Sequence, residues 1–293
     1  MAEQTAEQTA EHCPPDSGVA ARLCWALAVA VLAGGALTVL APGALHGTAA
    51  MNGSARGTAL AMAAFGVPAL VATTILIATT STAAISARAA VIRIGTVAFF
   101  VYNSLMLLFG TPFNAWFLVY VAMLGLSLAA LIALGAPIDA PALAQRFTAR
   151  RRARGIATYL LVIVVANTLI WLRAVVPALA HTDDPPFLVG TGLITNPIYV
   201  QDLSFWLPLA GLSAVWLWNR RPWGVVLGGA FLWMWVLEGL CVALDQWFGS
   251  RADPQSSVVS SSMVVPFLIL AAGSLVALTA LAHSDSGDEP AGP

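Results

Sequence analysis

Lysine is absent from this 293-residue sequence, and charged residues of both signs make up only 9% of it. An ordinary globular domain carries about 25% charged residues. Thirteen basic and fourteen acidic side chains cannot give a water-soluble surface to a chain that is 59% hydrophobic, with a mean hydropathy of +0.84. Most of these side chains must therefore face lipid. Cysteine is scarce as well: Cys13, Cys24 and Cys241 form no CxxC pair, no CxxCH haem attachment and no Cys/His zinc spacing, so free thiols are expected. None of the four histidines lies in an apolar stretch, which excludes the usual transmembrane haem held by two helix histidines. HExxH, GxSxG, P-loop and GxGxxG motifs are missing, and Asp183-Asp184 lacks the second acidic pair of a DDxxD magnesium site. No cofactor, metal or catalytic residue is expected. A formal net charge of −1 says nothing about partners.

What the sequence does contain is long apolar runs. A membrane-spanning helix needs roughly 20 mostly apolar residues, and eight stretches qualify: Val19–Leu40, Thr58–Ala78, Ala89–Phe109, Ala115–Leu134, Ile156–Leu179, Leu203–Asn219, Gly224–Phe248 and Met263–Ala282. The expected fold is an all-α, polytopic transmembrane bundle over residues 19–282, with disordered tails at 1–18 and 283–293. A cleaved secretory signal is the alternative for the first stretch. The preceding segment carries Glu3, Glu7, Glu11 and Asp16 instead of a basic region, which favours a retained helix. The turns Gly110-Thr111-Pro112-Phe113-Asn114 and Asn219-Arg220-Arg221-Pro222 should join spans three to four and six to seven as hairpins.

Arginine supplies every basic charge, and its distribution orients the bundle through the positive-inside rule. Arg22, Arg88, Arg93, Arg146, Arg150, Arg151, Arg152, Arg154, Arg220 and Arg221 fall on one side, and Arg56, Arg173 and Arg251 on the other. Ten against three places both termini in the cytoplasm, with Arg150, Arg151, Arg152, Arg154, Arg220 and Arg221 as topology anchors in a cell membrane, most simply a bacterial plasma membrane. The RFTARRRARG segment has no folded basic domain around it, so it is assigned to topology and lipid headgroups and not to nucleic acid.

Ionisable or amide groups at membrane depth are costly and point first to function. Glu238 falls near the middle of span seven, and offsets of four, seven and eleven put Met234, Glu238, Cys241 and Asp245 on one helical face. Asn103, Asn167, Arg173 and Asp202 fall at comparable depth or toward the outer ends of their spans. All could converge on one outer-half cavity, with Arg173 as ion-pair partner of Glu238 or Asp202. The plain alternative is that the asparagines and Glu238 only hold helices together. Asp245 reads as an interfacial residue. The connection HTDDPPFLVGTGLITNPIYVQD is apolar in its second half, which suits either a lid folded back toward the headgroups or an ordinary interfacial loop. His181, Asp183 and Asp184 on it are more simply solvated than metal-binding.

Trp25, Trp116, Trp206, Trp223 and Trp247 near span ends read as interfacial anchors, while Trp216, Trp218, Trp233 and Trp235 lie deeper, as packing or as the wall of an apolar pocket. Gly224 and Gly228 form a GxxxG pair that permits close helix approach.

Two segments carry a resemblance. Tyr102, Asn103, Gly110, Phe113 and Asn114 in the first, and Asn196, Pro197, Ile198, Asp202, Leu203, Phe205, Arg220, Arg221 and Pro222 in the second, are similar to a family of uncharacterised, actinobacterial-type polytopic membrane proteins. The resemblance implies no established activity, and Glu238 is not part of it. The expected function is binding or permeation of a small molecule or ion through an outward-facing polar cluster, with Asn103, Asn114, Asp202 and Glu238 as its contacts. Two other classes stay open: an accessory subunit that binds a membrane-protein partner, and a membrane enzyme using Glu238 or Asp202 on a lipid-like substrate.

Overall fold

Inside hydrocarbon no water is at hand to satisfy backbone N–H and C=O groups, so each apolar run must close its hydrogen bonds within itself, as a helix. The computed structural model describes residues 18–147, 152–180, 182–183 and 185–282; the expected tails, Cys13, Arg150, Arg151, His181 and Asp184 lie outside them. Among the described residues there is no strand. Eight helices are long and apolar enough to cross a membrane: α1 Gly18–Leu40, α2 Ala49–Thr79, α3 Ala83–Phe109, α4 Phe117–Gly135, α5 Ala153–Ala178, α6 Pro197–Trp218, α7 Pro222–Ala252 and α8 Val264–Ala282. The protein is an all-α, polytopic membrane bundle.

The core draws side chains from all eight helices. Helices α3 and α7 are its centre: about three quarters of the apolar window of α3 and two thirds of that of α7 are buried, whereas α5 is the least buried of the eight. Along α7 pack α2, α3, α6 and α8; α4 lies on α3, and α1 on α4 and α2. Both expected hairpins are present. In the second, the Arg221 N–H donates to the Trp216 carbonyl at 2.8 Å, Arg220 sits in the left-handed region at φ 57°, and Gly224 lies against the backbone of Trp216 and Leu217 with no room for a Cβ. Gly228, the other half of that GxxxG pair, makes ordinary contacts.

Helix α2 starts nine residues before the expected Thr58, at Ala49, where the Thr48 hydroxyl accepts the Met51 N–H. The segment Gly53-Ser54-Ala55-Arg56-Gly57 looks like a polar turn in sequence but is helical, because its glycines are contact surfaces. A Cβ on Gly57 would stand 2.5 Å from the Leu244 carbonyl oxygen, and one on Gly53 2.6 Å from that of Phe248. The close approach of α2 to α7 is therefore possible only without side chains there. Arg56 consequently lies two turns inside a helix and not on a connection, and Arg93 is buried within α3. At the arginine-rich end Arg88 donates to the Ala282 carbonyl at 2.6 Å, and the Arg154 guanidinium lies 5.9 Å above the Trp218 ring. Arg152, Arg154, Arg220 and Arg221 are all exposed.

Two helices carry a π turn. In α2 it covers Met62–Gly66, closed by Val67 N–H on the Met62 carbonyl, and Pro68 follows; in α6 it covers Asp202–Trp206, closed by Leu207 N–H on the Asp202 carbonyl, and Pro208 follows. Proline has no N–H and its ring crowds the carbonyl four residues back. The wider turn before it relieves that crowding and bends the path of the helix.

Candidate functional site

The spacing that puts Met234, Glu238, Cys241 and Asp245 on one face of α7 also aims that face at a cavity of about 460 Å³, and all four line it. Opposite them stand Met51, Ser54 and Thr58 of α2, Tyr102, Asn103 and Met106 of α3, and Asn167 and Trp171 of α5. The first turns of α6 and the beginning of α8 complete the wall. The residues contributed by α2, α6 and α8 come from their N-terminal turns, those of α3 and α5 from their C-terminal halves, and those of α7 from its middle onward. The cavity thus occupies the end of the bundle opposite the arginine-rich connections.

Glu238 is the deepest carboxyl on this wall. Its Oε2 accepts from Asn103 Nδ2 at 2.8 Å, the one side-chain hydrogen bond to this carboxyl among the described residues. Asn103 is almost fully buried and is held by two further bonds: Nδ2 donates to the Phe99 carbonyl at 3.1 Å, and Oδ1 accepts the Cys241 thiol at 3.3 Å. Asp202, which opens the π turn of α6, accepts the Trp171 indole N–H on Oδ2 at 2.9 Å, and the Tyr102 phenol lies beside the same carboxyl. Asp245 accepts the Ser54 hydroxyl on Oδ1 and Gln246 Nε2 on Oδ2, the latter at 2.9 Å. Each carboxyl is thus oriented by neutral donors only.

The connection after α5 folds over this end. Pro186–Leu188 forms a single 3₁₀ turn, Gly190 and Gly192 take the left-handed conformation at φ 78° and 71°, and the Asn196 side chain caps the start of α6 by accepting the Ile198 and Tyr199 N–H groups. This path brings Phe187, Val189, Thr191, Leu193 and Tyr199 to the cavity. Tyr199 stacks between Trp171, with ring centroids 4.7 Å apart, and Phe187, at 5.3 Å. Tyr102 and Trp206 form a second aromatic pair at 6.1 Å.

Of the residues expected to make up the site, Asn103, Asp202 and Glu238 line one cavity together, with Asn167 on its rim. Asn114 does not. It is buried in the turn between α3 and α4, where Nδ2 donates to the Pro112 carbonyl at 2.9 Å and to Thr111 Oγ1 at 3.1 Å and Oδ1 accepts the Trp116 N–H at 2.9 Å. Every polar atom of its amide is committed to shaping that hairpin.

Arg173 is likewise displaced from its expected role: it is exposed on α5 and makes no ion pair with Asp202 or Glu238 among the described residues. Trp171, two residues earlier and about 200° away around the helix, takes the place beside Asp202. Asp245, expected near the interface, is a wall group of the cavity, and Trp206 is buried with its indole N–H on Gln201 Oε1 at 3.0 Å instead of anchoring at an interface. Trp25, Trp223 and Trp247 remain exposed near helix ends. Of the deeper tryptophans, Trp235 lines the cavity, while Trp233 donates to Thr96 Oγ1 at 2.8 Å across to α3.

No group of three or more metal-ligating side chains occurs among the described residues. The three carboxyls are spread over the wall: seven residues separate Glu238 from Asp245, about 10 Å along the helix axis. That spread, in a space of this size, suits a molecule with a body and polar ends better than a bare ion. Protein-family models, curated proteins and solved structures give no match to this chain.

Proposed function

We propose that this protein binds a small solute in the α7-facing cavity, from the side opposite its arginine-rich connections, and serves its passage into or across a bacterial plasma membrane. The observation that carries the reading is Glu238: its carboxyl lies on the wall of an open space with a single side-chain hydrogen bond among the described residues, instead of in a closed and fully paired core. A helix-tying role calls for the second arrangement, since every unpaired polar atom at that depth costs free energy without return.

The chain's organisation supports the same reading. It divides into two sets of four helices that run in the same direction. In each set the second helix carries a π turn directly before a proline, and the third is the most buried. Matching helix irregularities in two halves fit an internal repeat, and alternating-access transporters are commonly built from such repeats with the site between the halves. Here the cavity is walled by α2 and α3 of one half and by α5 to α8 of the other. The arginine tally of the connections makes this end the outer one.

The test is thiol labelling of intact cells with a membrane-impermeant maleimide, in a background lacking Cys13, Cys24 and Cys241. Met51→Cys, on the cavity wall, should label from outside. Arg152→Cys, on the arginine-rich end, should label only after the membrane is permeabilised. Protection of position 51, or the reverse pattern, overturns the proposal.

A further inference from the structure

Resting on the reading of this cavity as a solute site, we infer that its ligand is an organic cation: an amine or quaternary ammonium group carried on an apolar body. Three carboxyls line the cavity, from Asp202, Glu238 and Asp245, and among the described residues no arginine or histidine does. The arginines at this end stand off the wall. Arg173 is exposed, Arg251 lies 4.4 Å over the Trp247 ring, and the Arg56 Nε is buried without a partner away from the cavity. Among the described residues every donor that reaches the carboxyls is neutral: an indole, a phenol, two carboxamides and a hydroxyl. Neutral donors orient a carboxyl but supply no counter-charge, so in a low-dielectric surround it can hold its charge only with a cation beside it and otherwise keeps a proton. A cation entering the cavity supplies the missing counter-charge, whereas an anion would add a fourth like charge.

The remainder of the wall says which kind of cation. A small metal ion needs several oxygens converging within about 2.5 Å, and the carboxyls here are dispersed. Aromatic rings gather around Asp202 instead. Trp171 bonds Asp202 and packs on Tyr199, which packs on Phe187, and Tyr102 pairs with Trp206 on the other flank of Asp202. Ring faces attract alkylated ammonium groups, which are too bulky and too weakly hydrated for an all-oxygen cage. Met51, Met106 and Met234 add adaptable apolar surface for the body of the ligand.

The experiment compares two methanethiosulfonate reagents of similar size at Met51→Cys: the cationic trimethylammonioethyl and the anionic sulfonatoethyl compound. Phe113→Cys, exposed at the same end but off the cavity, provides the reference ratio of rates. The cation should react at least tenfold faster at position 51 than that reference predicts. Glu238→Gln with Asp202→Asn should bring the ratio back to it. Phenyltrimethylammonium should slow labelling at position 51, and its uncharged analogue 3,3-dimethylbutanol at equal concentration should not. The first comparison needs no change to any carboxyl, so poor folding of the neutralised variant leaves it intact. Equal ratios at the two positions overturn the cation inference while leaving an open solute site standing. Reaction at position 113 with none at 51 removes the open site itself.

Discussion

The bond between Asn103 and Glu238 links the two most buried helices, and its strength depends on whether Glu238 holds a charge. Asn103→Leu keeps the volume and removes Nδ2, which donates to Glu238 Oε2 at 2.8 Å, and Oδ1, which accepts the Cys241 thiol at 3.3 Å. A thiol is a weak donor, so the second loss is small. A hydrogen bond to a charged group is worth about 1.5–3 kcal/mol, whereas interhelical hydrogen bonds between neutral groups in membranes average about 0.6 kcal/mol. Asn103→Leu should therefore cost about 2 kcal/mol in the wild-type background and about 0.6 kcal/mol in Glu238→Gln. The coupling energy from the double-mutant cycle is then about 1.5 kcal/mol. Reversible unfolding in mixed micelles containing phenyltrimethylammonium, followed by the fluorescence of the ten tryptophans, measures all four corners. A coupling at or below about 0.6 kcal/mol would refute the claim that Glu238 presents a charge to the cavity, since a neutral acid and a neutral amide would bond Asn103 alike.

Two further outcomes follow from the packing. Gly57→Ala drives a methyl to 2.5 Å from the Leu244 backbone oxygen and should cost about 1–3 kcal/mol in the same unfolding assay; Gly125→Ala, where nothing lies within 4 Å of the new methyl, should be neutral or stabilise by up to about 1 kcal/mol, and equal effects at the two sites would refute the close-approach argument. Asn114→Ala should cost about 1 kcal/mol by freeing the bonds that hold the turn after α3, with no change in the ratio of cationic to anionic labelling at position 51; a fall in that ratio would return Asn114 to the site.

The number and order of the helices were legible because each is an uninterrupted apolar run, and lipid permits such a run little else than a helix. The start of α2 was not. Gly53, Ser54 and Gly57 are poor helix formers taken singly, and only the backbone of α7 lying against them explains their presence, a contact that no local pattern encodes. The α7 face was legible, since a helical period of 3.6 residues fixes which side chains share a side. The same geometry contained the answer for Arg173. With Asp202 as its proposed partner, Trp171 and Arg173 cannot both face inward, and an indole is far less costly than a guanidinium to seat among aromatics. Asn114 also carried a signal that depth alone hid: an asparagine two residues after a proline in a short turn most readily bonds its own backbone. The aromatic wall was the least visible part, because Phe187 and Tyr199 come from a connection whose path is set by two left-handed glycines and a helix cap.

Fold and site meet most closely where α2 touches α7. Gly53 and Gly57, one turn apart, set the distance between the helices, and Ser54, one residue from the first and one turn from the second, is thereby delivered to Asp245. The glycines that tighten the bundle also fix a carboxyl on the cavity wall, so the cavity does not need flexible side chains to position its charge. On the other flank, Asp202 is placed by a π turn that exists because of Pro208, and it is held by Trp171 of α5. One acidic group thus stands on a rigid contact and another at a helix interruption next to the least buried helix.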